Sequence, residues 1–94
     1  MNYANHDELL QRIGENLRII RIIRKEKLQG VAQCIGVSHP VLSKIENGRS
    51  ANLTIALLAN LCNYYRVCIL DVFQPEQEFH IRMAKNRQYN APKP

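Results

Sequence analysis

The sequence contains no tryptophan and only two phenylalanines, so any core built from its 94 residues has to come mainly from aliphatic side chains. Hydrophobic residues make up 46% of the chain, enough for a compact core, and a supply of Leu, Ile, Val and Ala suits a small all-helical bundle of one domain. Long apolar runs are missing, which excludes a membrane-spanning segment. The opening MNYANHDELLQ has neither a basic start nor an apolar stretch and does not read as a signal peptide. Cysteine is scarce and odd in number: Cys34, Cys62 and Cys68 form no CxxC pair, and His6, His39 and His80 are far apart, so no metal-ligand spacing or disulfide framework is present. Buried thiols in a reducing cytosol are the expectation, which places the chain in the cytoplasm. Paired carboxylates, a Ser/His/Asp or Cys/His set and a Gly-rich phosphate loop are all missing, so neither an enzyme nor a cofactor is expected. Internal repeats and low-complexity segments are absent as well.

What is present is an uneven distribution of charge. The formal net charge is +5. Arg18, Arg21, Arg24, Lys25, Lys27, Lys44 and Arg49 stand against Glu26 and Glu46 in one stretch, and the rest of the chain sums to zero. A local excess of this kind suits a phosphate-bearing partner, although basic residues on a helix are often only a solvated face.

Within that stretch, LQGVAQCIGVSHPVLSKIENG, residues 28–48, reads as two short helices joined by a tight turn. Apolar residues fall at Val31, Ile35, Val37, Leu42 and Ile45, small Ala32 permits close helix approach, and Gly36 can adopt the positive φ that ends the first helix. Ser38 can cap the second helix, Pro40 fits its first turn, and Asn47-Gly48 suits its C-terminal end. This second helix has one apolar edge, Leu42 and Ile45, and one polar edge, His39, Ser43 and Lys44. In a helix-turn-helix the latter would face base edges in the DNA major groove; in an ordinary helical hairpin it would face water.

The flanking segments support this unit. A first helix is expected from Asn5 or His6 to about Arg24, with Asp7 and Glu8 in its first turn and Leu9, Leu10, Ile13, Leu17, Ile20 and Ile22 or Ile23 along its apolar stripe. Gly14 is a weak point that could part a leading turn from the main helix. After the connector Arg24 to Lys27, helix two spans Leu28 to Ile35. Following a loop over residues 49–52, a fourth helix capped by Asn52 or Thr54 turns Ile55, Leu58, Leu61 and Cys62 inward and ends at Tyr64-Tyr65-Arg66. Residues Val67 to Phe73 read as a short fifth helix, since four preceding helices offer no partner strand. A further helix is expected over about 75–87, with Phe79 and Met83 as an apolar i,i+4 pair and a disordered end at Asn90 to Pro94. The resulting division is a DNA-binding domain at 1–73 and a C-terminal helix and tail at 74–94.

Ile13-Gly14-Glu15-Asn16-Leu17-Arg18 with Arg21, Val31-Ala32, Gly36-Val37-Ser38, Leu42 to Gly48 and Val67 to Phe73 together resemble the XRE or phage-repressor (Cro-like) helix-turn-helix family. The most specific piece is Ser-Lys-Ile-Glu-Asn-Gly closely following Gly-Val-Ser, and the resemblance covers about residues 13–73. It implies an all-α fold, a five-helix lambda-repressor-like DNA-binding domain, here with an additional C-terminal helix. It also implies base contacts from His39, Pro40, Val41, Ser43 and Lys44, phosphate contacts from Lys27, Gln29, Ser38, Asn47 and Arg49, and a structural ion pair between Arg21 and Glu46. Two positions depart from the family pattern. Leu28 replaces the usual Gln, so that phosphate contact shifts to Gln29 or is lost, and Arg66 stands where the fourth helix usually ends in Gly or Asn.

The leading functional expectation is a sequence-specific transcriptional regulator, a repressor binding double-stranded operator DNA as a homodimer. The alternative is an antitoxin that binds a toxin protein and regulates its own operon, with residues 74–94 as the contact arm.

Overall fold

Asn5 opens the first helix, its Oδ1 accepting from the backbone N–H groups of Asp7 at 2.9 Å and Glu8 at 3.2 Å. The computed structural model describes residues 5–50 and 53–90. Asn52, the alternative cap of the fourth helix, and residues 91–94 of the expected tail lie outside the described residues. The described chain is all-helical: α1 (His6–Ile23), α2 (Leu28–Ile35), α3 (His39–Glu46), α4 (Ile55–Tyr65), a 3₁₀ turn (Ile69–Phe73), α5 (Glu76–Lys85) and α6 (Arg87–Asn90).

The first four helices close in the same manner. Lys25, Gly36, Gly48 and Arg66 adopt positive φ of 57°, 84°, 70° and 61° within two residues of the ends of α1, α2, α3 and α4. The N–H of the residue after each returns to a carbonyl in the last turn: Glu26 to Arg21 at 3.1 Å, Val37 to Ala32 at 3.0 Å, Arg49 to Lys44 at 2.9 Å and Val67 to Cys62 at 2.9 Å. This left-handed closure satisfies carbonyls that the helix ends would otherwise strand, and it reverses the chain within two residues. Two of the four positions lack glycine, so Lys25 and Arg66 hold a conformation that L side chains resist.

One continuous core fills the space between these elements, with Ile13, Leu17 and Ile20 of α1 meeting Val31 and Ala32 of α2, Leu42 and Ile45 of α3, and Leu58, Leu61 and Tyr65 of α4. Phe79, Met83 and Tyr89 belong to the same core, so α5 and α6 pack onto the body formed by the other helices. Asn16 is the buried polar exception on α1, and its Nδ2 donates to the carbonyls of Val72 and Gln74, both at 2.9 Å.

Several sequence expectations are corrected. Gly14 does not interrupt α1, which runs unbroken through it. Ile22 and Ile23 are exposed at 50% and 56%, because Arg24 takes the next inward position of the stripe. Ile55, expected to face inward, is 70% exposed at the first position of α4. The expected short fifth helix is present as a 3₁₀ turn over Ile69–Phe73. Arg12 and Asn16 of α1 take up the carbonyls of Phe73, Val72 and Gln74 at its end. The C-terminal helix divides at Asn86, whose backbone is extended and whose Oδ1 accepts from the Tyr89 N–H at 2.9 Å to start α6.

Candidate nucleic-acid interface

The α2–turn–α3 unit places one face of α3 outward. Ser38 Oγ accepts from the Val41 N–H at 3.3 Å, and Pro40 stands in the first turn, where its missing N–H leaves no intrahelical bond unmade. Leu42 and Ile45 are buried against α1 and α2, which turns His39, Pro40 and Lys44 fully outward. Val41 is exposed at 39%, and Ser43 is half-buried with its Oγ 3.4 Å from Asn47 Nδ2. The five residues expected to read bases therefore share one helix, and positions 39, 40, 43 and 44 share one side of it.

The expected phosphate ligands lie at the start of α2 and at the two ends of α3. Lys27 and Gln29 lie exposed at the start of α2, where Lys27 provides no side-chain cap for the first N–H groups. A helix start of this kind leaves backbone donors available to an anion. Ser38 precedes α3, while Asn47 and Arg49 follow it, all exposed.

Two ion pairs shape the charge. Arg21 Nε and Nη2 grip Glu46 Oε2 and Oε1 at 2.8 and 3.0 Å, and Nη1 donates to the Glu26 carbonyl at 3.0 Å. Donating these hydrogen bonds to Glu46 raises the Arg21 pKa above its ordinary value, against the opposing effect of burial. One guanidinium thus ties α1, the end of α3 and the α1–α2 connector together. Arg24 pairs with Glu26 at 3.3 Å, and the Tyr64 hydroxyl donates to the other Glu26 oxygen, which pushes the Tyr64 pKa up. With both acids engaged, Arg18, Lys25, Lys27, Lys44 and Arg49 form no ion pair with any described residue. All five are exposed.

Sequence reasoning missed the support beneath this face. A β-carbon on Gly14 would stand 2.8 Å from the Glu46 carbonyl oxygen and closer still to that of Ile45, so α1 crosses the end of α3 in direct backbone contact. A β-carbon on Gly48 would meet Gln11 Cα at 2.7 Å, a second close approach one turn away. The available signal for Asn16 was a polar residue on the apolar stripe between Ile13 and Ile20. No signal in the sequence linked Tyr64 to Glu26 or Arg24 to Tyr89, because those pairs are far apart along the chain. Among the described residues no group of His, Cys, Asp and Glu could hold a metal ion, and no helix is long and apolar enough to cross a membrane.

Comparison with known proteins agrees with this geometry. Residues 16–78 match the family model of the Cro/C1-type HTH DNA-binding domain. A crystal structure of the clp gene regulator ClgR from Corynebacterium glutamicum is 30% identical, covers 82% of this chain and 78% of its own, and superposes with a TM-score of 0.66. A second ClgR structure from the same organism is 29% identical with a TM-score of 0.65, covering 80% of this chain and 92% of its own. The hypothetical transcription factor NHTF from Neisseria, at 17% identity, shares the fold, with a TM-score of 0.71 over 88% of this chain and 93% of its own. No curated protein matches the chain significantly.

Proposed function

Because this chain belongs to the Cro/C1-type helix-turn-helix DNA-binding family, we propose that it is a transcriptional regulator that reads operator DNA through the outer face of α3. The observation that supports this reading is that Lys44 on α3, Lys27 before α2 and Arg49 after α3 are exposed and form no ion pair with any described residue. Lys44 donates to guanine O6 and N7, His39 and Ser43 donate to or accept from neighbouring bases, and Pro40 and Val41 offer apolar contact to a thymine methyl. Lys27, Gln29, Ser38, Asn47 and Arg49 hold phosphates and fix the register without choosing sequence. The similarity to ClgR, a clp gene regulator, supports regulation as the outcome of binding.

The protein acts as a homodimeric repressor on a palindromic site, with two copies of α3 in successive major grooves roughly 34 to 36 Å apart. Leu70 on the 3₁₀ turn and Ile81 on α5, exposed at 61% and 48%, are candidates for the dimer surface. A toxin-binding role draws less support. Phe79 and Met83, which suggested a contact arm, are 0% and 5% exposed in the chain's own core.

In-vitro selection from a random DNA pool, followed by the salt dependence of the best binder, tests the reading. An inverted repeat bound far more tightly than random DNA, with affinity falling steeply as salt rises, is the expected result. Weak and sequence-blind binding overturns it.

A further inference from the structure

The connector between α1 and α2, residues 24–27, carries Lys25 and Lys27, two of the cations that form no ion pair with any described residue, and it is held in an unfavourable backbone conformation, with Lys25 at φ 57°. Beyond the closure of α1, side chains hold it from three directions. Arg21 Nη1 holds the Glu26 carbonyl from α1, and Tyr64 holds the Glu26 carboxylate from α4. The third support comes from the opposite end of the sequence. The Arg24 guanidinium lies 5.6 Å from the centre of the Tyr89 ring, and its Nη1 donates to the Tyr89 carbonyl at 3.4 Å. The Arg24 side chain is only 10% exposed and Tyr89 8%, so each covers the other.

Tyr89 is itself fixed by asparagines on both sides. Asn86 Oδ1 accepts from the Tyr89 N–H, while Asn86 Nδ2 donates to the Arg66 carbonyl at 3.2 Å, at the closure of α4. Asn90 Nδ2 donates to the carbonyls of Met83 at 3.0 Å and Asn86 at 2.7 Å. The four-residue α6 is therefore bolted to α4 and α5, and it presents one aromatic face to the base of the connector. The Tyr89 hydroxyl is buried without a hydrogen-bond partner among the described residues, and it is the ring that lies against Arg24.

We propose that α6, through Tyr89 and Arg24, is a positioning element that holds Lys25 and Lys27 for contact with the DNA backbone without touching DNA itself. This rests on the DNA-binding reading above. An arginine over an aromatic face is a stiff, water-excluding contact, and fixing Arg24 fixes its ion pair with Glu26 and hence the turn between. Phosphate binding by two neighbouring lysines requires that turn to be ordered beforehand, since ordering it on binding would oppose affinity.

The experiment compares the full chain with Tyr89→Ala and Tyr89→Phe in three readouts: thermal melting, amide hydrogen exchange at residues 25–28, and DNA affinity against salt. Tyr89→Ala is expected to speed exchange in the connector, leave exchange in α3 unchanged, weaken DNA binding about tenfold and lower the salt slope by about one unit per protomer. Tyr89→Phe is expected to behave as the unaltered protein. Arg24→Gln, which removes the same contact from the other side, should reproduce Tyr89→Ala if the latter folds poorly. Lys27→Ala should cost less in the Tyr89→Ala background than alone, a coupling that a general loss of stability does not produce. Unchanged exchange and affinity in Tyr89→Ala, or full additivity with Lys27→Ala, overturns the proposal. Failure of the unaltered protein to bind any DNA instead overturns the DNA-binding reading, and the exchange comparison then decides separately whether α6 orders the connector.

Discussion

Gly14 lies against the carbonyl group of Ile45 with no room for a β-carbon between them, so the first helix sets the angle of the third through backbone contact. Gly14→Ala is expected to push α3 away from α1 and to destabilise the fold by about 1 to 3 kcal/mol, the usual cost of overpacking. Urea unfolding measures it. A neutral or stabilising effect, as helix propensity alone would give, would show that the helices separate freely.

The Arg21–Glu46 pair should respond asymmetrically to removal of its partners. The Glu46 side chain is 5% exposed and that of Arg21 16%, so Arg21→Ala strands a buried carboxylate while Glu46→Ala leaves a cation that can reach water. A lone buried charge costs about 3 to 5 kcal/mol when its partner is deleted. Arg21→Ala is therefore expected to lower stability more than Glu46→Ala in parallel denaturation curves, and equal losses would contradict the burial argument.

Lys44 and Arg49 are expected to separate base reading from phosphate holding. Lys44→Ala should cost about 1 to 3 kcal/mol on the selected operator and relax preference at one base pair. Arg49→Ala should weaken binding to every sequence alike and lower the salt slope by about one unit. Competition binding with single-base operator variants at several salt concentrations distinguishes the two, and a sequence-selective loss in Arg49→Ala would remove it from the phosphate set.

Arg66 at φ 61° closes α4 where glycine would do so without steric strain. Arg66→Gly keeps the backbone carbonyl that Asn86 uses. The substitution is expected to stabilise by about 0.5 to 1 kcal/mol, the relief of left-handed strain less the added freedom of the unfolded chain. A rise in Tm verifies it; a fall would mean that the Arg66 side chain contributes more than its backbone costs.

Cys62 provides an alkaline signature. Burial pushes its thiol up from 9.0 to about 11, with Cys68 and Asp71 adding to the shift. The folded state therefore retains a proton that the unfolded state releases, so the contribution is intact below pH 9 and is lost as pH rises from 9 towards 11. Stability measured across that range should fall. At pH 8 a thiol reagent should label exposed Cys34 and Cys68 and spare Cys62 until the chain unfolds, which mass spectrometry of the labelled peptides reads directly.

Much of the fold was legible in the sequence because its rules are local. Apolar spacing of three and four residues marked α1, α2 and α4, Ser38 and Pro40 marked the start of α3, and Gly36 and Gly48 marked the ends of α2 and α3. The outward side of α3 followed from the same periodicity, since Leu42 and Ile45 had to face inward. Where local rules misled, a neighbour decided: propensity made Gly14 a weak point, and the carbonyl of Ile45 made it a requirement. Val67 to Phe73 read as a short helix, and the tertiary structure added that it is 3₁₀ in form and that Asn16 takes up two carbonyls at its end.

The sequence by itself determined the order of the helices and which face of each is apolar, because these depend on residues within one or two turns of each other. It placed the excess positive charge beside α3 for the same reason. The family resemblance had already implied the Arg21–Glu46 pair; only the tertiary structure decided that Tyr64 engages Glu26 and that Tyr89 returns to cover Arg24. Arg24 and Tyr89 are separated by 65 residues, and no spacing rule reaches that far. They meet because burying Phe79, Met83 and Tyr89 in the shared core brings the end of the chain back to the base of the first helix.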